Sequence, residues 1–188
     1  MRRRVKCEAQ SFRKGLEKMR ELFEIDTKDY DINGTTVSRP SARGIIIRDG
    51  KVAMVHSKKY EYYKFPGGGI ESGEDKIVAL VREVAEETGL CVIVDTIKEF
   101  GHVYRIQKGD YEDVFIQDNY YYLCDTEETV RKQKLDDYEK EEQFTLEFVT
   151  PEYAIEVNQR CDMEGADKIM TGREIRVLQI LIAEGYFN

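Results

Sequence analysis

Residues 68–90, GGIESGEDKIVALVREVAEETGL, constrain the fold more than any other stretch of the chain. Ile77, Leu80, Val81 and Val84 are spaced i, i+3, i+4 and i+7, so on a helix they form one apolar stripe facing a core. Glu83, Glu86 and Glu87 repeat at i, i+3 and i+4 and form an acidic stripe beside it. Ser72, with Asp75 three residues on, reads as a capping box, and Gly89 as a left-handed cap at the far end. The spacing predicts a helix over 74–88, entered from a segment too rich in glycine for a regular element.

The acidic stripe has an ordinary reading, a solvated charged face, which fits poorly here. Like charges at i, i+4 destabilise a helix by a few tenths of a kcal/mol. Glu86 and Glu87 also lie near the C-terminus, where the helix dipole disfavours anions. Three acids kept on one face point to a cation. Oxygen-only donors suit a hard ion, Mg²⁺ or Mn²⁺, better than zinc. Gly67, Gly68 and Gly69 carry no side chains, so their backbone can approach a phosphate or a metal closely.

The rest of the chain bounds this reading. At 188 residues it is long enough for one domain with its own core. A net charge of −8 argues against a nucleic-acid partner, because a bare acidic surface repels phosphates unless a divalent cation stands between them. No run approaches the length of a membrane span, and the start MRRRVKCEAQ has no apolar leader region. The four cysteines form no C-x-x-C, and reduced thiols in the cytoplasm are the expectation.

Residues 5–24 read as an amphipathic helix, and 29–37 as a hairpin around Asn33-Gly34. Asp29-x-Asp31-x-Asn33-Gly34 imitates a calcium loop but fails at its twelfth position, Pro40. Residues 43–48 and 51–56 read as strands joined by Asp49-Gly50, and 91–107 and 112–124 as long strands. Residues 126–142 read as an exposed polar excursion and 143–149 as a strand. Thr150-Pro151 starts a helix, and Thr171 to Glu174 the last one, with Ile175, Leu178, Leu181 and Ile182 on one face. Two lone histidines, His56 and His102, read as structural, as does the aromatic cluster Tyr60, Tyr62, Tyr63 and Phe65. Strands and helices of both kinds predict an α+β fold.

Residues 68–90 resemble the Nudix box, G-x5-E-x7-R-E-U-x-E-E-x-G-U with U aliphatic. Gly68, Glu74, Arg82, Glu83, Val84, Glu86, Glu87, Gly89 and Leu90 all match. Arg43 to His56 and the lead-in Phe65-Pro66-Gly67 are similar to the flanks of the box in that family. The resemblance to Nudix (MutT-like) hydrolases implies an α/β/α sandwich with a mixed sheet between helices. It divides the chain into an N-terminal extension over 1–37 and a Nudix domain over 38–188. It implies Mg²⁺- or Mn²⁺-dependent hydrolysis of a nucleoside diphosphate linked to another moiety. By position, Glu83, Glu86, Glu87 and the Gly68 carbonyl become the metal donors. Glu86 and Glu87 thereby act in catalysis, and Arg82 and Glu74 orient the carboxylates and the loop.

In relatives an acid several residues ahead of a Glu-aromatic pair takes the proton from water. The pair here is Glu147-Phe148, so Glu142 is the expected base, with Glu139 and Glu141 close behind. Signatures beyond the box name no substrate: no proline lies about fifteen residues past it, and Tyr104 and Tyr111 straddle the tyrosine window. A nucleoside triphosphate or modified nucleotide is the default. The alternative is a non-catalytic Nudix domain that senses a nucleotide. An isomerase would want a cleft cysteine, and Cys91 is expected to face the core. Unpartnered apolar residues in 1–37 point to packing on the domain or to a homodimer.

Overall fold

The structure is a computed structural model that describes residues 19–161 and 168–187. The elements in order are β1 (Glu21–Asp26), β2 (Thr36–Ser38), β3 (Ser41–Ile45), β4 (Ile47–Arg48), β5 (Lys51–Ser57), β6 (Tyr62–Lys64), β7 (Gly67–Gly69) and α1 (Lys76–Thr88). There follow β8 (Leu90–Val92), a 3₁₀ turn (Val94–Thr96), β9 (Lys98–Gln107), β10 (Val114–Leu123), β11 (Thr126–Val130) and α2 (Asp137–Glu141). The chain closes with β12 (Thr145–Val149), α3 (Pro151–Arg160) and α4 (Lys168–Ala183).

A six-stranded mixed sheet runs β1-β9-β10-β3-β7, with β2 also on β10. β9 and β10 are antiparallel, whereas β3 lies parallel to β10. A second sheet, β12-β5-β4 with β6 on β5, packs beside it, and β8 pairs with β11. Alternation along β10 sorts the core. Tyr120 and Tyr122 join Ala79, Leu80 and Val84 of α1, while Tyr121 joins Val177, Leu178 and Leu181 of α4. The sheets thus lie between α1 on one side and α3 with α4 on the other: the expected α+β sandwich. Each fully buried Leu or Val contributes about 1.5–3 kcal/mol relative to exposure.

Several local expectations are corrected. Residues 21–24, placed in a helix over 5–24, belong instead to the strand β1, and residues 5–18 lie outside the described residues. Leu22 and Phe23 pack in the core that holds α4, and β1 runs parallel to β9. The hairpin over 29–37 does not form: residues 29–32 join no strand, and β2 pairs parallel with β10 instead. The strand over 43–48 breaks at Ile46 so that β3 and β4 serve different sheets. Asp49 and Gly50 do make the turn, at φ 48° and 69°.

The glycine run is a strand after all: β7 pairs antiparallel with β3, and Gly67 sits at φ 132°. The 91–107 strand is interrupted by the 3₁₀ turn. The polar excursion over 126–142 contains β11 and α2. α4 begins by Lys168, so Thr171 is not its cap. Glu174 is buried and its Oε2 accepts the Phe65 backbone N–H at 3.3 Å. Ile182 is exposed, and Val177 takes the core position instead.

Candidate active site

α1 places the three glutamates. Its N-cap is Asp75, not Ser72: the Asp75 carboxylate accepts from the backbone N–H groups of Ile77 and Val78. Gly89 closes the helix in the left-handed conformation at φ 76°. With Leu80 and Val84 buried, the helix can turn only one way, and Glu83, Glu86 and Glu87 then face the β7 edge.

Glu87 is only 1% exposed. Its Oε1 accepts from Lys64 Nζ at 2.7 Å and its Oε2 from the Gly67 backbone N–H at 2.8 Å. Lys64 also lies 4.4 Å over the Phe144 ring. Glu83 lies against Gly68 so closely that a Cβ there would overlap the carboxylate. Burial pushes the Glu83 carboxyl above its usual range, and the Glu87 charge adds to the rise. Glu86 is the most open of the three, 3.4 Å from Arg82 Nη1.

Arg82 is the hub. Nε and Nη2 each donate to one oxygen of Glu74 at 2.8 Å, Nη2 donates to the Gly69 carbonyl at 3.1 Å, and Nη1 to Glu83 Oε1 at 2.6 Å. Glu74 in turn accepts the Glu71 N–H at 2.9 Å. Arg82 followed by that N–H holds the Glu74 carboxyl down at about 2. One guanidinium thus ties the loop, the helix and the glycine strand together.

Among the described residues, no three His, Cys, Asp or Glu side chains converge as a ready-made ion cage. The carboxylates are instead held by cations and N–H groups. The donor set nevertheless fits a hard cation: it is all oxygen, it is acidic, and the Gly68 backbone lies against Glu83 with no side chain between them.

The expected base lies apart from the helix. Glu142 Oε2 accepts from Ser57 Oγ at 2.8 Å and from Tyr62 Oη at 2.7 Å. Glu139 is buried and bonded to the Asp136 N–H and the Tyr138 hydroxyl. Burial raises the Glu139 carboxyl, and the Glu87 charge raises it further. Tyr62, Tyr63 and Phe65 are core residues, while Tyr60 is exposed. His56 stacks on Tyr63 at 4.5 Å and pairs with Glu147 at 2.9 Å, a structural role. Cys91 is half-buried on β8.

Lys64 is spent on Glu87. Its burial has no periodic signal in the sequence. A cavity of about 510 Å³ lined by Arg39, Arg43, Arg105 and Arg173 was not foreseen, since only the fold brings these four together.

A helix of three glutamates thus sits on a glycine strand of a sheet that lies between helical layers. The family model of the NUDIX domain matches residues 38–170, and the chain belongs to that family. Its structure is similar to the E. coli ORF135 protein, with 20% identity, 80% of this chain and 94% of that one covered, and a TM-score of 0.52. It is similar to a MutT NUDIX hydrolase from Burkholderia pseudomallei, at 16% identity, 75% and 98% coverage and a TM-score of 0.51. A NUDIX hydrolase from Nitrosomonas europaea gives 15% identity, 75% and 90% coverage and a TM-score of 0.52. At these identities the likeness is one of fold. No curated protein matches the chain in sequence. No helix among the described residues is long and apolar enough to cross a membrane.

Proposed function

We propose that the chain hydrolyses a nucleoside diphosphate linked to another moiety, a nucleoside triphosphate or modified nucleotide included, with Mg²⁺ or Mn²⁺. The observation that carries this is the pairing of the Glu83, Glu86 and Glu87 face with the β7 glycine strand, tied by Arg82. Glu83, Glu86, Glu87 and the Gly68 carbonyl would hold the cation. When bound, it neutralises the diphosphate and lowers the pKa of a coordinated water.

The chain's own residues do the rest. Arg82 holds Glu83 and, through Glu74, the loop at Glu71 in one arrangement. Lys64 and the Gly67 N–H fix the rotamer of Glu87. Ser57 and Tyr62 anchor Glu142 at Oε2 and leave Oε1 as an oriented acceptor for the proton of the attacking water. Glu139 is the competing acceptor, because it lies within the field of Glu87. The domain is proposed to run over 38–188, in the cytoplasm, acting on small nucleotides, with a homodimer as its assembly.

A panel of nucleoside diphosphate derivatives with Mg²⁺, scored for phosphate release, tests the reading. Hydrolysis that vanishes in EDTA is expected. Full activity in EDTA, or none on any member with the nucleotides still bound, would overturn it, the second result in favour of a nucleotide sensor.

A further inference from the structure

The last turn of α1 is the least self-sufficient part of the box helix. Glu86 and Glu87 lie there, and the turn holds no basic residue. Anions at a helix C-terminus oppose the dipole, and glutamates at i, i+3 and i+4 repel one another. The last four carbonyls of a helix also lack partners within it. Such a turn frays unless donors and cations reach it from elsewhere.

They come from residues 131–134, Arg-Lys-Gln-Lys, in the polar segment between β11 and α2. The Lys134 backbone N–H donates to the Glu86 carbonyl at 2.8 Å, and the Arg131 N–H to the Gly89 carbonyl at 2.7 Å. The Gln133 side chain adds a third donor, its Nε2 to the Glu87 carbonyl. Only the amide nitrogen can donate to a carbonyl, so the orientation of this amide is fixed. Gln133 is half-buried, whereas Arg131, Lys132 and Lys134 are exposed. Three cations thus lie in the segment that covers the negative end of the helix. The approach is close. A Cβ on Gly89 would meet the Arg131 carbonyl, so this position needs glycine for the segment as well as for the left-handed cap.

Glu87 is thereby held through both its side chain and its backbone. Lys64 and the Gly67 N–H bind its carboxylate, and Gln133 binds its carbonyl. Where the carboxylates of Glu86 and Glu87 stand follows from the winding of this turn. Unwinding it would move both out of the row they form with Glu83.

We propose that Gln133 is a positioning residue for Glu86 and Glu87. Its amide latches segment 131–134 onto the last turn of α1 and keeps that turn wound, so that the two carboxylates stand ready for a divalent cation. The cation rests on the hydrolase reading above. The latch itself does not.

Amide hydrogen exchange of the full chain without metal tests the latch. In Gln133→Ala the N–H groups of Gly89, Arg131 and Lys134 should exchange about tenfold faster or more, while the Ala79 N–H in the first turn keeps its rate. Gln133→Lys, which restores a donor at the helix C-terminus, should bring the rates back to within about threefold of wild type. Unchanged rates in Gln133→Ala would overturn the proposal, and so would equal acceleration at Ala79, the mark of a general loss of stability. Calorimetric titration with Mn²⁺ reads the consequence. Gln133→Ala should bind it about tenfold more weakly or worse, as expected when a group that orients metal donors is lost, and Gln133→Lys should recover. Wild-type affinity in Gln133→Ala would overturn the positioning role. A loss that Gln133→Lys does not recover would assign the effect to side-chain volume and overturn it too. Latch-dependent exchange in a chain that binds no Mn²⁺ would uphold the latch and sink the hydrolase reading alone.

Discussion

Arg82 grips Glu74 through two parallel hydrogen bonds, Nε to Oε1 and Nη2 to Oε2, both 2.8 Å long. The same guanidinium reaches Glu83, so the loop before the helix and a carboxylate within it share one anchor. Arg82→Lys keeps the charge but not the fork. It should lower kcat by about 10²-fold, the order expected when reacting groups are misplaced by about 1 Å. Unchanged kinetics would reduce Arg82 to a surface residue. The grip also sets a pH dependence. Glu74 falls from an ordinary 4.5 to about 2 in the fold, so its stabilising effect is complete above about 4.5 and lost as pH falls through about 2. The stability gap between the wild type and Glu74→Gln, followed by urea unfolding, should close across that window.

The Lys64–Glu87 pair is dry, and the two halves of its test diverge. Lys64→Met leaves a buried carboxylate unpaired and should cost about 3–5 kcal/mol. Replacing both, as Lys64→Met with Glu87→Leu, should recover most of that stability while the enzyme stays inactive. Glu87→Gln alone should cut kcat by about 10²-fold or more, since the cation contributes several kcal/mol to the transition state. A Lys64→Met cost below about 1 kcal/mol would show that water reaches the pair.

Neighbouring glycines should behave differently. A Cβ on Gly68 meets the Glu83 carboxylate, a side-chain end that can swing aside. Gly68→Ala should therefore fold normally and lose activity. A Cβ on Gly67 meets the Ala42 carbonyl, and its φ of 132° is strained for any side chain. Gly67→Ala should lose about 1–3 kcal/mol or more in thermal unfolding. Equal melting temperatures for the two variants would contradict this.

Glu142→Gln should lower kcat by about 10²-fold with little change in KM, as loss of a general base does. Glu139→Gln made in parallel decides between the two acids. If the loss follows Glu139, the proton goes there. If both variants stay within a few-fold of wild type, no acid of this loop takes it.

A chain starting at Ser38 should be less stable and prone to association. Without β1, the β9 edge is left open for pairing, and the Arg20 contacts with the Phe100 carbonyl and the His102 N–H are gone. Light scattering and thermal unfolding would check it; a stable monomer with an unchanged midpoint would show that the segment is dispensable.

Periodicity within residues 68–90 was enough to determine the box helix, its buried stripe, its acidic stripe and its glycine cap, because those are local relations at fixed spacing. The sandwich was legible to the same depth, and so was the Thr150-Pro151 helix start. Pairing partners were not. Asn33-Gly34 has the chemistry of a hairpin, yet residues 29–32 join no strand and β2 found a parallel partner some eighty residues away. The glycine run became a strand because β3 offered it a free edge that no spacing rule could announce. Lys64 turning inward to Glu87, and four arginines from four parts of the chain meeting in one cavity, were decided only in three dimensions, where desolvated charges must find each other or a ligand.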